Sequence, residues 1–98
     1  PEIKGIVTFN DLVALGMLAG FAQAGVKVGE DIGIVGFDDI QEAGQCYPKL
    51  SSVRCDVNSL GQQTVDVLLD WVEKDLHPKD QVRFPVDLII RASSSRDP

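Results

Sequence analysis

The segment Ile32-Gly33-Ile34-Val35-Gly36-Phe37-Asp38-Asp39 constrains the fold more than any other stretch. It starts as a nearly unbroken apolar run and ends in two adjacent carboxylates. A run this short, without polar alternation, is the pattern of a strand covered on both faces. The carboxylates then stand where the buried strand leaves its sheet. In open α/β sheets, ligands collect outside the carboxyl ends of the strands. Asp38 and Asp39 are therefore candidates for contact with a polar ligand, a metal or a partner chain.

The chain before this segment completes a βαβ unit. Residues 5–9 form a β-branched and aromatic run, read as a buried strand. Asn10 suits a helix N-cap, and Asp11 in the first turn complements the helix dipole. The spacing predicts a helix over residues 12–24, closed by Gly25. Leu12, Leu15, Leu18, Ala19 and Ala22 recur at helical spacing, and Val13, Met17 and Phe21 continue round another side. A helix apolar over so much of its circumference calls for two partners, its own sheet and a second subunit. A short polar connection over 26–31 leads into the central strand, residues 32–37. Strand, helix and strand in about thirty residues make a right-handed crossover unit.

Beyond Asp39, one helical turn is expected within residues 39–45, broken by Cys46-Tyr47-Pro48. Residues 50–55 read as an extended segment. The longest predicted helix is Val57–Lys74, with Val57, Leu60, Val65, Leu68, Leu69 and Val72 as its apolar stripe. A turn over 75–80 leads to a last strand within 84–92, and residues 93–98 read as a polar tail expected to fray.

The chain has 98 residues, the size of one domain with a modest core. Its net charge of −6, from 15 acidic and 9 basic residues, argues against this segment gripping phosphates itself. Cys46 and Cys55 show no CxxC spacing and read as free thiols of a reducing compartment. No apolar run approaches the length of a membrane span, and no signal peptide opens the chain. Pro1-Glu2 lacks a start Met and runs into a strand within a few residues, so the chain is expected to be a piece of something longer.

Four readings of Asp38-Asp39 compete. A Mg²⁺ or phospho-acceptor site needs further carboxylates, which the sequence does not place. Acid/base catalysis needs split carboxyl environments or a histidine, and the single His77 sits in a polar turn beside Pro78. Sugar or nucleoside recognition uses a carboxylate to take two hydroxyl hydrogen bonds at once. The fourth reading is structural: one aspartate caps the turn that begins near Ile40. Asn10 ends the preceding strand of the same unit, on the same rim. An amide and a carboxylate together match vicinal hydroxyls.

The run from Phe9-Asn10-Asp11-Leu12 to Gly16, and the run from Gly25-Val26-Lys27 through Ile32-Gly33-Ile34-Val35-Gly36-Phe37-Asp38-Asp39, resemble the lactose-repressor/galactose-repressor (LacI/GalR) family of bacterial transcription regulators. The resemblance continues through Pro48-Lys49-Leu50-Ser51-Ser52-Val53, Leu60-Gly61 and Leu88-Ile89-Ile90-Arg91-Ala92-Ser93-Ser94, in order and spacing. Gly29 stands where the family often has proline, a difference confined to a loop.

The resemblance implies a three-layer α/β fold with a parallel sheet, of the type I periplasmic-binding-protein kind, present as a partial domain. Residues 1–98 would be the C-terminal part of the effector-binding domain, with the helix-turn-helix and the first lobe outside this chain. It implies effector contacts at Asn10 and Asp38, with Phe37 and Cys55 near the cleft. It implies a dimer interface at Leu15, Leu18, Cys46 and Tyr47. The expected partners are a small-molecule effector of the carbohydrate class, operator DNA through an absent domain, and a second copy. No cofactor, metal, catalytic residue or membrane contact is expected, and the location is cytoplasmic.

With the first lobe absent, the Val57–Lys74 stripe would lose its cover. Each such side chain left in water forgoes roughly 1.5–3 kcal/mol, so the helix is expected to fold back on this chain's own sheet or to pack against another copy. Two rivals remain: a periplasmic sugar-binding component of a transporter, and a Mg²⁺-dependent flavodoxin-like or receiver-like enzyme. The stretches Leu50-Ser51-Ser52-Val53 and Arg91-Ala92-Ser93-Ser94 favour the regulator.

Overall fold

A computed structural model describes residues 2–78 and 81–95. The chain divides into two compact units. The first comprises residues 1–54 and 87–98, the second residues 55–86.

The first unit is built on β1 (Gly5–Val7), α1 (Asp11–Gln23), β2 (Gly33–Phe37) and β3 (Ser51–Cys55), with β4 (Val86–Ile89) following β3 in the sheet order β1-β2-β3-β4. β1 and β2 run parallel with Val7 opposite Val35, and β2 and β3 run parallel with Phe37 opposite Val53. The carboxyl ends of these strands therefore share one rim.

α1 forms where the sequence places it. The Asn10 side chain accepts from the Val13 amide at 2.9 Å, satisfying one of the helix's orphan donors. At the other end Gly25 takes a φ of 76°, the Val26 amide reaches the Phe21 carbonyl, and the Gly25 amide reaches that of Ala22. These two bonds form a Schellman closure, in which the left-handed residue is glycine because a Cβ is disfavoured there.

Ala14 and Leu18 of α1 pack on Ile34, Ala43 and Leu50, with Ile6, Leu15, Met17, Phe21, Val28 and Cys46 half-buried around them. This apolar cluster is small. Four of the six largest fully buried side chains are polar: Asp11, Ser51, Ser52 and Ser93. Such groups are tolerated only when hydrogen-bonded, so the interior of this unit depends on its polar contacts as much as on its packing.

The C-terminal segment departs from the expectation of a frayed tail. Residues 92–94 form a 3-10 turn, and Ser93 is fully buried. Its hydroxyl donates to the Ile34 carbonyl at 2.6 Å and accepts from the Ser51 amide at 2.8 Å. The Ser51 hydroxyl accepts from the Arg91 amide at 2.7 Å and lies 2.6 Å from that of Ser94. Hydroxyls pinned between backbone groups of β2 and β3 make the turn part of the core. Residues 96–98 of the expected tail, and residues 79 and 80 of the expected turn, lie outside the described residues.

Gly29 also does more than shorten a loop. Its φ is 97°, its amide donates to the Ile32 carbonyl at 2.7 Å, and a Cβ there would collide with the Ala92 carbonyl. Proline has a fixed negative φ and no N–H, so this chain takes a loop form that proline cannot adopt.

In the second unit, α2 (Val57–Lys74) has the predicted bounds. Asp56 caps it, and the amide and hydroxyl of Ser59 hold the Asp56 carboxyl below its ordinary range. The return segment makes a groove of about 280 Å³ with the helix, lined by Leu60, Leu68, Trp71 and Phe84 among others. The edge of Trp71 meets the His77 ring at 4.9 Å between centroids. Of the two covers expected for the stripe, burial on this chain's own sheet does not occur, which leaves packing against another copy. No residue of α2 is buried, and every member of the stripe is at least 40% exposed. A single binary pattern specified the helix, but none of the described residues buries its stripe.

Two outcomes follow from this packing. Gly36 faces the Asp11 carboxylate and the Leu50 side chain with no room for a Cβ. Gly36→Ala should therefore cost about 1–3 kcal/mol by overpacking, read as a lowered midpoint in urea unfolding. Val72 is 81% exposed. Val72→Lys should move that midpoint by less than about 0.5 kcal/mol while lowering the binding of an apolar dye.

Candidate functional site

The rim after β1, β2 and β3 gathers the sequence-predicted ligand residues of the first unit. Asn10 and Asp38 each lie three residues beyond a matched pair, Val7 and Val35, on neighbouring parallel strands. Phe37 ends β2 and is part-exposed. Cys55 is the last residue of β3, half-buried, where the chain passes from the first unit to the second. Asn10 divides its amide between two roles: the oxygen caps α1, and the NH₂ is not used by the cap.

The two aspartates turn out to do different things. Both have positive φ, 113° at Asp38 and 55° at Asp39. For residues other than glycine such angles cost of order 1–3 kcal/mol each and persist only where the surroundings over-determine them. Here three successive amides are held. The Asp38 amide donates to the Val53 carbonyl, the Asp39 amide to the Ser52 hydroxyl and the Ile40 amide to the Asp11 carboxylate, each at 2.9 Å.

Asp39 is a clamp residue. One of its oxygens accepts from Arg54 Nε at 2.7 Å and the other from Arg91 Nη1 at 2.8 Å. Only 7% of its side chain is exposed, against 19% for Arg91 and 55% for Arg54. Arg91 also donates to the Leu50 carbonyl. Burial by itself pushes the Asp39 carboxyl up. The hydrogen bonds and charges of Arg91 and Arg54 outweigh it and hold the carboxyl below its ordinary value. A carboxylate already bound to two guanidiniums is poorly placed to ligate Mg²⁺, which disfavours the enzyme rival.

Asp38, by contrast, is exposed, and its carboxylate makes no hydrogen bond to another described side chain. Neither aspartate caps the following turn. The 3-10 turn Gln41–Gly44 has no side-chain cap, and the Ile40 amide before it is taken by Asp11. That corrects the structural reading of the pair. The Ile40 amide is instead held by Asp11, 29 positions earlier in the chain.

Asp11 is the main residue the sequence reading undervalued. It is fully buried, and besides Ile40 it accepts from the Ser52 hydroxyl at 2.7 Å. Gly36, opposite Ser52 in the sheet register, leaves the space it fills. Phe9 was also passed over as part of a strand. It is 87% exposed, two residues beyond Val7 as Phe37 is two beyond Val35, so the two rings stand at equivalent places on the rim.

The four residues assigned to a dimer face differ in accessibility. Leu18 belongs to the apolar core, and the core rather than a partner surface accounts for its side chain. Leu15 and Cys46 are half-buried against that core, and Tyr47 is almost fully exposed. His77 is exposed, in the second unit, 3.2 Å from Asp75.

Residues 1–94 match the periplasmic binding protein-like domain, and the chain belongs to that family. Its relatives are repressors of the LacI type. It is 32% identical over 88 residues to the HTH-type transcriptional repressor PurR of Photobacterium profundum, covering 90% of this chain and 26% of that protein. Among solved structures, a LacI family transcriptional regulator from Enterococcus faecalis with bound ribose matches with a TM-score of 0.84 and 34% identity, over 98% of this chain and 36% of that one. The Lac repressor dimer bound to operator and the anti-inducer ONPF matches with a TM-score of 0.83 and 32% identity, over 94% and 32% of the two chains. The chain spans about a quarter of the length of the curated relatives it matches. Among the described residues, no helix is long and apolar enough to cross a membrane.

The Asp39 clamp has a defined pH signature. Its folded carboxyl lies below the unfolded value of about 3.9, so its contribution is complete above that pH and is lost as pH falls through the folded value. Arg91→Ala should destabilise the chain by roughly 2–3 kcal/mol at neutral pH, because a nearly buried carboxylate keeps only its more exposed partner. The same variant should flatten the acid limb of a urea-midpoint-against-pH curve.

Proposed function

We propose that this chain is the C-terminal part of the effector-binding domain of a LacI-type transcription regulator, and that its rim takes a sugar or related polyhydroxyl effector. The observation that carries the reading is the rim itself. Two neighbouring parallel strands end in an amide with a donor to spare, at Asn10, and an exposed carboxylate on a strained backbone, at Asp38. A carboxylate accepts from two vicinal hydroxyls while an amide donates to their oxygens, and charge-assisted bonds of this kind contribute about 1.5–3 kcal/mol each. The exposed rings of Phe9 and Phe37 offer flat apolar surface to the C–H face of a sugar. Ribose bound in a regulator of this fold supports the same class of effector.

In this reading the chain binds and does not catalyse. Operator DNA is contacted through a segment outside this chain, which fits the acidic charge balance here. The protein works in the cytoplasm as a homodimer. Tyr47 presents its side chain to the second copy, Leu15 and Cys46 back it, and Leu18 stays in the core. Phe37 borders the effector, and Cys55 marks the place where the chain leaves the effector-binding rim. Effector binding shifts the population between two arrangements of the dimer, driven only by its differential affinity for them.

The test is Asp38→Ala in the intact regulator, assayed for operator binding with and without effector. Operator affinity should be retained and the response to effector lost. An unchanged response would remove Asp38 from the site.

A further inference from the structure

Asp38 matters to a ligand only if its carboxylate is held in place, and its backbone is one that a free peptide avoids. We propose that Asp11 and Ser52 are positioning residues for Asp38: together they hold Asp38 and Asp39 at the positive φ that presents the Asp38 carboxylate at the rim. The proposal rests on the reading of Asp38 as an effector contact and extends it to two residues that touch no ligand.

The geometry points to these two specifically. Asp11 and Ser52 are both fully buried, so neither serves as a surface contact. The Ser52 hydroxyl donates to one Asp11 oxygen at 2.7 Å and accepts from the Asp39 amide at 2.9 Å. The other Asp11 oxygen accepts from the Ile40 amide at 2.9 Å. Both amides flanking the Asp39 residue are thereby tied to one buried carboxylate, Ile40 directly and Asp39 through the hydroxyl. The carboxylate is itself fixed at the first turn of α1, immediately after Asn10, and wedged against Gly36. Asn10 and Asp38 are thus spaced by a single rigid element. An ordinary glycine would relieve the backbone at 38 and 39; this chain uses aspartates there and supplies the constraint from below.

The experiment uses the isotope-labelled intact regulator. Amide–Hα couplings of Asp38 and Asp39, read together with the strong intraresidue amide–Hα NOE that marks positive φ, report the backbone, and titration with D-ribose and with lactose reports binding. Ser52→Ala removes the relay to Asp39. Asp11→Asn leaves one acceptor oxygen where two are used. Leu18→Ala, a core truncation, serves as a control for plain loss of stability. Ser52→Ala and Asp11→Asn should move both couplings toward ordinary negative-φ values and weaken sugar binding by about tenfold or more. Leu18→Ala should leave couplings and affinity unchanged.

Ser52→Ala alone suffices if Asp11→Asn does not fold. Couplings that stay unchanged in the folded variants would overturn the proposal. So would relaxed couplings with undiminished affinity, or an equal loss of affinity in Leu18→Ala. If the intact wild-type regulator binds neither sugar, ribose and lactose are excluded as its effectors, while the couplings still decide whether Asp11 and Ser52 hold the segment.

Discussion

A buried carboxylate is the contact on which the first unit turns. Asp11 sits at the start of α1, yet its oxygens are spent on Ser52 of β3 and on the Ile40 amide beyond β2. One side chain therefore joins a helix, a strand and the loop that follows β2. Burying a polar group is costly unless it is hydrogen-bonded, and both Asp11 oxygens accept a bond. The small apolar cluster around Ile34 and Leu50 could not by itself hold the rim in a strained form. Directional bonds do that, because packing alone tolerates sliding and hydrogen bonds do not.

Around that contact the serines act as a second set of fasteners. Ser51 and Ser93 link β2, β3 and the turn after β4, each through a hydroxyl used both as donor and as acceptor. Arg91 then ties the same turn to Asp39 and to Leu50. The result is a rim whose backbone is nearly fully committed inward, with Asp38 as the acidic group left facing solvent. Division of labour between adjacent aspartates, one structural and one exposed, is what a binding rim of fixed shape requires.

Much of this was legible in the sequence because it is local. The Asn10 cap, the Gly25 closure, the buried strand ending at Phe37 and the bounds of α2 each follow from residues within a turn of one another. The βαβ order alone places Asn10 and Asp38 on one rim. What escaped was non-local. Nothing near Asp11 announces burial; the signal is Gly36 and Ser52, far along the chain, which matter only once the strands are in register. Ser93 looked like tail because its partners are Ile34 and Ser51. The backbone of Asp38 and Asp39 was illegible for a different reason: positive φ is ordinarily announced by glycine, and here the constraint is tertiary. The sequence left two covers for α2 open, its own sheet or another copy, because periodicity specifies which face needs burial and is silent on what buries it.

The Arg54–Asp39–Arg91 clamp has a consequence for how the chain can change its length. Arg54 is the last residue before the chain passes into the second unit, and Arg91 follows soon after it returns. A single carboxylate thus fastens both ends of the intervening loop, and the entropy of bringing those ends together is met within the first unit. Closure entropy grows only logarithmically, by about 0.6 kcal/mol for each doubling of the loop. Residues could be added to or removed from the excursion at small cost, provided its two arginine-bearing ends keep their hold on Asp39. The second unit is in this sense a replaceable insert in a frame that is already closed, free to diverge in sequence and size while the rim beside it stays in shape.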